Sequence, residues 1–178
     1  MSVVALGILV VGCNQPNPEA ARVQAKYDEK TGKLSQLTVD AKKDGKPDIY
    51  SYMDGTKFIR IEIDKDEDGK IDRWEYYGPD QKLEKVGFSR SNDGKPDAWA
   101  YSTADGVLSR IEVATHHDGK VNRFEYYEKG SLARVEEDTD DDGKIDKWET
   151  WENNAIASVS FDLKHTGKPD TTIDYRKK

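Results

Sequence analysis

Acidic side chains recur at alternate positions in two twelve-residue segments, with the spacing of an oxygen-ligated metal site. Residues 64–75 and 138–149 share the pattern Asp-x-Asp-x-Asp-Gly-Lys-Ile-Asp-x-Trp-Glu. Alternate residues of a tightly curved loop point inward, and the glycine permits the positive φ that lets the carboxylates converge. The carbonyl oxygen of the lysine after the glycine supplies a further ligand. Two complete copies of this pattern indicate two Ca²⁺ loops.

The candidate ligands follow from the position of each residue in the pattern. In the first segment they are Asp64, Asp66, Asp68, the carbonyl of Lys70, Asp72 and Glu75. In the second they are Asp138, Asp140, Asp142, the carbonyl of Lys144, Asp146 and Glu149. We expect a bound cation because converging carboxylates repel one another without one. The alternative is a solvated acidic turn that holds no metal.

Both segments belong to a tandem array of six acidic loops. The loop glycines recur every 24 or 25 residues, at Gly45, Gly69, Gly94, Gly119, Gly143 and Gly167. We number the loops 1 to 6 in chain order, so that the complete patterns are loop 2 and loop 5. Loops 1, 3, 4 and 6 (40–51, 89–100, 114–125 and 162–173) lack the full set of carboxylates that a tight Ca²⁺ site uses, and Lys42 and Lys164 stand where a ligand is needed. These four loops are predicted to keep the turn without the metal.

Each loop is followed by a strand, a tight turn and a second strand. Aromatic residues alternate after the loops, as in Trp74-Glu75-Tyr76. The next turn carries residues that tolerate positive φ, such as Asp54-Gly55, Asp105-Gly106, Lys129-Gly130 or Asn153-Asn154. A helix–loop–helix site does not fit, because the repeat is too short for two helices. The sequence predicts an all-β fold for residues 22–178: tandem antiparallel β-hairpins of about 24–25 residues in one elongated meander or solenoid-like sheet. In this setting Asp72 and Asp146 are predicted to take over the bidentate role of the last glutamate.

Two resemblances follow from these motifs. The pattern Asp-x-Asp-x-Asp-Gly-x-x-Asp at 64–72 and 138–146 resembles the calcium loops between β-strands of integrin-type and related extracellular repeat proteins. The hairpin spacing, with Leu-x-Arg-Ile/Val at 108–111 and 132–135 after a Gly-bearing turn, is similar to MORN-variant hairpin repeats of bacterial proteins. The first resemblance implies metal loops and the second implies hairpins. Neither implies a particular function.

The N-terminal residues resemble a bacterial lipoprotein signal. A short apolar run from Val3 to Val11 ends in Val10-Val11-Gly12-Cys13, and Cys13 is the only cysteine. The resemblance implies a signal peptide at 1–12, lipidation of Cys13 and a lipidated linker at 13–21. It further implies an anchor in the cell envelope, at the outer membrane, with the repeats facing the periplasm or the cell surface. The alternative is a buried free cysteine at the end of a core strand.

Aromatic and basic residues also recur at equal repeat positions. The aromatic rows are Tyr50, Trp74, Trp99, Phe124 and Trp148, and Tyr52, Tyr76, Tyr101 and Tyr126. We expect them to stack on one face and pack against aliphatic residues such as Ile61, Val86 and Ile111. The alternative is an exposed platform for a glycan or a peptide. Arg60, Lys85, Arg110 and Arg134 form a basic row, which is either a solvated surface or a site for a polyanion.

Composition and motifs then limit the function. The net charge of −7, from 28 basic and 35 acidic residues, disfavours a nucleic-acid partner. No nucleophile elbow, phosphate-binding glycine loop or Ser–His or Cys–His arrangement is recognisable, so an enzyme is not expected. The sequence predicts a non-catalytic, lipid-anchored envelope repeat protein with structural Ca²⁺ that binds a protein or glycan partner. The alternatives are a calcium-stiffened spacer and a carbohydrate-binding accessory module.

Overall fold

The computed structural model describes residues 22–177, so the signal peptide, Cys13 and the linker lie outside the described residues. Thirteen strands form one sheet, and each pairs antiparallel with its neighbours in the chain. In order they are β1 (Val23–Tyr27), β2 (Leu34–Val39), β3 (Ile49–Asp54), β4 (Lys57–Ile63), β5 (Arg73–Tyr77), β6 (Leu83–Phe88), β7 (Ala98–Ser102), β8 (Leu108–Val113), β9 (Arg123–Glu128), β10 (Ser131–Glu137), β11 (Lys147–Glu152), β12 (Ala155–Phe161) and β13 (Thr171–Asp174).

The predicted all-β hairpin array is confirmed. The sheet is open, because β1 and β13 are its two edges and do not pair with each other. Residues 22–177 contain no α-helix, and hence no helix of the length and apolarity needed to cross a membrane. The acidic loops lie along one end of the strands, because each connects the second strand of one hairpin to the first strand of the next.

The tight turns at the other end of the strands have the backbone that their residues favour. Glu128 pairs with Ser131, which leaves Lys129-Gly130 as a two-residue loop, and both residues have positive φ. Asn153-Asn154 joins β11 to β12 in the same way. Two successive positive φ values are typical of type I′ turns, whose twist matches that of antiparallel strands. These two predicted turns are therefore correct in position and in conformation. The predicted Asp54-Gly55 turn is shifted by one residue, because Asp54 pairs with Lys57, and Asp105-Gly106 lies in a longer loop between Ser102 and Leu108.

The strand period of two divides the side chains between two faces of the sheet. One face carries a row of mainly aliphatic residues, and we call it the aliphatic face. The row includes Ile61, Val86, Ala100, Ile111, Val135 and Val159. The opposite face carries Tyr52, Tyr76, Tyr101 and Tyr126, and we call it the tyrosine face. Since the sheet is a single layer, burial comes from neighbours on the same face, and Val135 at 1% exposure is its most enclosed large side chain.

The expected packing of the aromatic rows against the aliphatic residues is wrong. Tyr76 lies beside Arg60 and Lys85, whereas its neighbour Glu75 lies beside Ile61 and Val86 on the other face. Successive residues of a strand point to opposite faces, so the aromatic and aliphatic rows cannot touch across a single layer. The aromatic residues instead alternate with the basic row along the tyrosine face.

Candidate metal centres

The six acidic loops share one backbone conformation. The fourth residue of each loop and the glycine two positions later have positive φ. The fourth residues are Lys43, Glu67, Asn92, His117, Asp141 and His165. The prediction that the incomplete loops keep the turn is confirmed by these values. The turn therefore does not depend on the full set of acidic residues.

The acidic residues at the first and ninth positions hydrogen-bond to the loop backbone. In loop 2 the Asp64 carboxylate accepts the Glu67 and Gly69 N–H groups at 2.8 and 2.9 Å. Asp72 Oδ2 accepts the Lys65 and Asp66 N–H groups at 2.6 and 3.3 Å. The same ninth-position bond recurs in incomplete loops, for example from the N–H of Ala41 to Asp48 and of Arg90 to Asp97. Part of the acidic pattern thus specifies the turn itself.

Three carboxylates nevertheless converge in each complete loop. Oxygen atoms of Asp64, Asp66 and Asp72 lie within 4.8 Å of one another. Oxygen atoms of Asp138, Asp140 and Asp146 do the same in loop 5. Such an arrangement of carboxylate oxygens could hold a hard cation. Among the described residues, no cluster of this kind forms within loops 1, 3, 4 or 6.

Loop 5 has a feature that loop 2 lacks. Asp138 is only 7% exposed, and its Oδ1 atom is buried without a hydrogen-bond partner, while Oδ2 accepts the Gly143 N–H at 2.8 Å. In loop 2 both oxygens of the equivalent Asp64 accept backbone N–H groups. A buried carboxylate oxygen without a donor is costly, and a bound cation would remove that cost.

The last glutamate of each complete pattern lies on the aliphatic face, where side chains of its own strand donate hydrogen bonds to it. Glu75 accepts hydrogen bonds from Arg73 Nε at 2.7 Å and from the Tyr77 hydroxyl at 2.8 Å. Burial and the contact with Glu75 raise the pKa of Tyr77 to about 12. Glu149 lies 2.9 Å from Lys147 Nζ and accepts the Trp151 indole N–H at 3.0 Å. Neither glutamate belongs to a carboxylate cluster, and the bidentate role predicted for Asp72 and Asp146 stays a prediction.

The remaining predicted ligands have other neighbours. The Lys70 ammonium lies 3.0 Å from Asp68 Oδ2 and also donates to the carbonyl of Asn92 in loop 3. Lys144 lies 3.4 Å from Asp142 in the equivalent pair. Asp68 is in no three-residue cluster, whereas Asp142 lies close to Asp140 and His165.

Side chains from neighbouring loops also contact the acidic residues, and the pattern within a single loop does not predict these contacts. His116 and His117 of loop 4 point to opposite neighbours, with Nδ1 2.8 Å from Asp141 of loop 5 and 2.8 Å from Asp97 of loop 3. His165 of loop 6 lies 3.5 Å from Asp140. Every histidine of the chain therefore contacts an aspartate of an adjacent loop. The alignment of successive repeats was the available signal, because it places equal loop positions side by side.

Comparisons with known proteins give partial structural similarity only. The sequence matches no protein-family model, and no curated protein matches it either. A structure of a point mutant of S. aureus TarM with fondaparinux, alpha-GlcNAc-glycerol and UDP is similar over 57% of this chain and 19% of its own, with 16% identity and a TM-score of 0.45. A second TarM structure has 17% identity and a TM-score of 0.43 over 56% of this chain and 18% of its own.

A third similar structure contains accessory secretory proteins 1, 2 and 3 of Streptococcus pneumoniae. It has 15% identity and a TM-score of 0.31, and it covers 58% of this chain and 17% of that chain. This chain spans less than a fifth of each of the three. Similarity at this level carries no conclusion about function, so the function must be argued from the residues themselves.

Proposed function

We propose that this protein is a non-catalytic, Ca²⁺-stabilised β-repeat scaffold of the bacterial envelope that binds a protein or glycan partner. The observation that carries the proposal is the carboxylate cluster of loop 5 together with the buried, unpartnered Oδ1 of Asp138. The oxygen-only set of Asp138, Asp140 and Asp146 favours Ca²⁺ over Zn²⁺, which prefers nitrogen and sulfur ligands. Ca²⁺ also tolerates less regular geometry than Mg²⁺.

The sheet architecture supports a scaffold role. Each hairpin contacts mainly its neighbours, so the stability of the array is close to a sum of local terms. A cation bound in loop 2 or loop 5, between the end of one strand and the start of the next, would stabilise the array at that loop. The lipid anchor at Cys13 remains part of the proposal on the resemblance of residues 10–13 to a lipoprotein signal.

A binding role, as opposed to a plain spacer, is favoured by the exposed tyrosine face. No described element covers this face, and several of its aromatic residues, including Trp99 and Tyr76, are only half-buried. Half-exposed aromatic residues beside basic ones are common in sites for sugars and peptides. The three histidines are each bound to an aspartate of a neighbouring loop, an arrangement that supports a structural role for them.

Thermal unfolding of the full chain tests the metal role. We would follow circular dichroism in EDTA, in millimolar Ca²⁺ and in millimolar Mg²⁺. A cation at about 100 times its dissociation constant contributes about 2.7 kcal/mol per site. This corresponds to a rise in melting temperature of about 5–10 °C for a chain of this size. Equal melting temperatures in EDTA and Ca²⁺ would contradict the proposal, and an equal shift in Mg²⁺ would contradict its Ca²⁺ selectivity.

A further inference from the structure

The tyrosine face repeats one three-residue unit in three places. In each unit an arginine stacks on a tyrosine ring, at 4.4, 4.4 and 4.1 Å from guanidinium carbon to ring centroid. A glutamate two residues after the arginine binds both partners. The units are Tyr52–Arg60–Glu62, Tyr101–Arg110–Glu112 and Tyr126–Arg134–Glu136. Each glutamate therefore neutralises the arginine and accepts the tyrosine hydroxyl.

A fourth unit, at Tyr76 and Lys85, lies between the Tyr52 and Tyr101 units and lacks the glutamate. Tyr76 pairs with Lys85, and the residue two positions later is Gly87, which has no carboxylate to offer. The Lys85 ammonium lies 5.5, 5.7 and 5.4 Å from the rings of Tyr76, Trp99 and Tyr101. Within residues 22–177, Lys85 makes no ion pair and the Tyr76 hydroxyl makes no hydrogen bond.

Because this unit has no glutamate, the Lys85 ammonium and the Tyr76 hydroxyl have no carboxylate acceptor in the described part of the chain. In the other three units these two donor types share one carboxylate, so the same geometry at Tyr76 and Lys85 is complementary to a carboxylate from outside the chain. The space at Gly87 itself is closed, because Trp74 and Pro96 lie 3.6 and 3.3 Å from the position of an added Cβ. An external carboxylate would therefore approach from the solvent side of the tyrosine face.

We propose that Tyr76 and Lys85 form a subsite for the carboxylate of an acidic sugar, a uronate, in a glycan bound along the tyrosine face. Trp99 is half-exposed and lies beside Lys85, where its ring can contact the apolar face of a pyranose. Aromatic strands alternate with basic strands, so equal aromatic positions recur about every 9.5 Å across the sheet, close to the length of a disaccharide. This inference rests on the glycan partner of the proposed function and specifies its chemistry.

The test is a titration of the full chain with short glycans in saturating Ca²⁺. The acidic probe is a hyaluronan tetrasaccharide, and the neutral comparator is the same tetrasaccharide with its carboxylates reduced to alcohols. Binding is measured by calorimetry and by tryptophan fluorescence. We expect the acidic probe to bind at least about tenfold more tightly, because a charge-assisted hydrogen bond is lost in the comparator. An acidic peptide is titrated in parallel and should bind no more tightly than the neutral sugar.

Variants assign the binding to this unit. Lys85→Gln should weaken binding of the acidic probe about tenfold, and Tyr76→Phe should weaken it less, since it removes a neutral donor. Arg134→Gln is the matched control, because Glu136 already occupies that unit, and it should leave the affinity unchanged. Glu136→Gly, which reproduces Gly87, should create a second subsite at Tyr126 and Arg134, and the number of acidic tetrasaccharides bound should rise. This gain cannot result from a failure to fold.

Several results would overturn the subsite. They are equal binding of the acidic and reduced tetrasaccharides, equal binding of the acidic peptide, and unchanged affinity in folded Lys85→Gln. No binding of the acidic probe at all is equally decisive. The melting experiment in Ca²⁺ separates this failure from that of the scaffold proposal. A chain that responds to Ca²⁺ but ignores the probe refutes only the subsite, and a chain that binds the probe without responding to Ca²⁺ refutes only the metal role.

Discussion

Loops 2 and 5 carry the same twelve-residue pattern but receive different side chains from their neighbours. In loop 2, the Lys42 ammonium of loop 1 lies 2.6 Å from Glu67 and donates to the Lys65 carbonyl. The Asn92 amide of loop 3 donates to Asp66 and Asp68 at 3.0 and 3.3 Å. Loop 5 instead receives imidazoles, one at 2.8 Å from Asp141 and one at 3.5 Å from Asp140.

The difference shows that the metal affinity of a loop in a tandem array depends on its neighbouring loops as well as on its own ligand pattern. A lysine is a permanent cation at neutral pH, so loop 2 has part of its negative charge balanced by the chain itself. Loop 5 receives imidazoles in place of that lysine, and an imidazole is not a permanent cation, so loop 5 keeps more charge to be balanced by a metal. The unpartnered Oδ1 of Asp138 adds to this demand. We therefore expect loop 5 to bind Ca²⁺ more tightly than loop 2.

The largest expected effect comes from Asp138→Asn. The substitution keeps the shape of the side chain but removes a charged ligand, so the Ca²⁺-dependent part of the stability should fall by about 2–3 kcal/mol when loop 5 would otherwise be saturated. The measurement is the difference in melting temperature between Ca²⁺ and EDTA. In EDTA the variant should melt close to the parent, because neutralising Asp138 relieves an unpartnered buried charge.

Asp64→Asn is the matched control for this prediction. It changes the same position of the pattern in loop 2, where both carboxylate oxygens already accept backbone N–H groups. We expect it to remove less of the Ca²⁺-dependent stability than Asp138→Asn. A larger loss in Asp64→Asn would reverse the order of the two sites.

A second prediction concerns the cation that loop 2 receives from its neighbour. Lys42→Gln removes a positive charge that lies against Glu67, so the Ca²⁺ affinity of loop 2 should rise about tenfold, or about 1.4 kcal/mol. Calorimetric titration of Ca²⁺ in the Asp138→Asn background isolates loop 2. Lys46→Gln, which causes the same change in net charge without an ion pair to Glu67, is the control. Equal gains in both variants would mean that net charge alone sets the affinity.

The fold could be predicted from the sequence because its determinants are local. Alternation at period two gives the strands, and Lys129-Gly130 and Asn153-Asn154 specify turns that fix the register of their hairpins. The interval of 24 or 25 residues then repeats the same hairpin along the chain. The predicted packing of the aromatic rows against the aliphatic residues is wrong, because Ile61 pairs with Glu75 and alternation along the strand places the next residue, Tyr76, on the opposite face of the sheet.

The site could be predicted only in part. Asp64, Asp66 and Asp72 converge as their positions in the pattern require, and so do their equivalents in loop 5. The surroundings of Glu75 depend on Arg73 and Tyr77, which share its face of the strand, and this signal was present in the Arg-x-Glu-x-Tyr spacing. Contacts between loops, such as His116 with Asp141, depend on how adjacent repeats lie side by side, which no single repeat specifies.

The smallest expected effect tests whether the last glutamate of loop 5 serves the sheet. Burial opposes ionisation of Glu149, but Lys147 and the Trp151 indole outweigh it and hold its pKa below the ordinary 4.5. A lowered folded-state pKa means that the stabilisation is fully present above about pH 4.5 and is lost as the pH falls through the lower folded-state value. Glu149→Gln should therefore cost about 1 kcal/mol at pH 7, and the two proteins should converge in acid. Urea unfolding in EDTA measures this difference without the metal, and a cost that appears only in Ca²⁺ would instead make Glu149 a ligand.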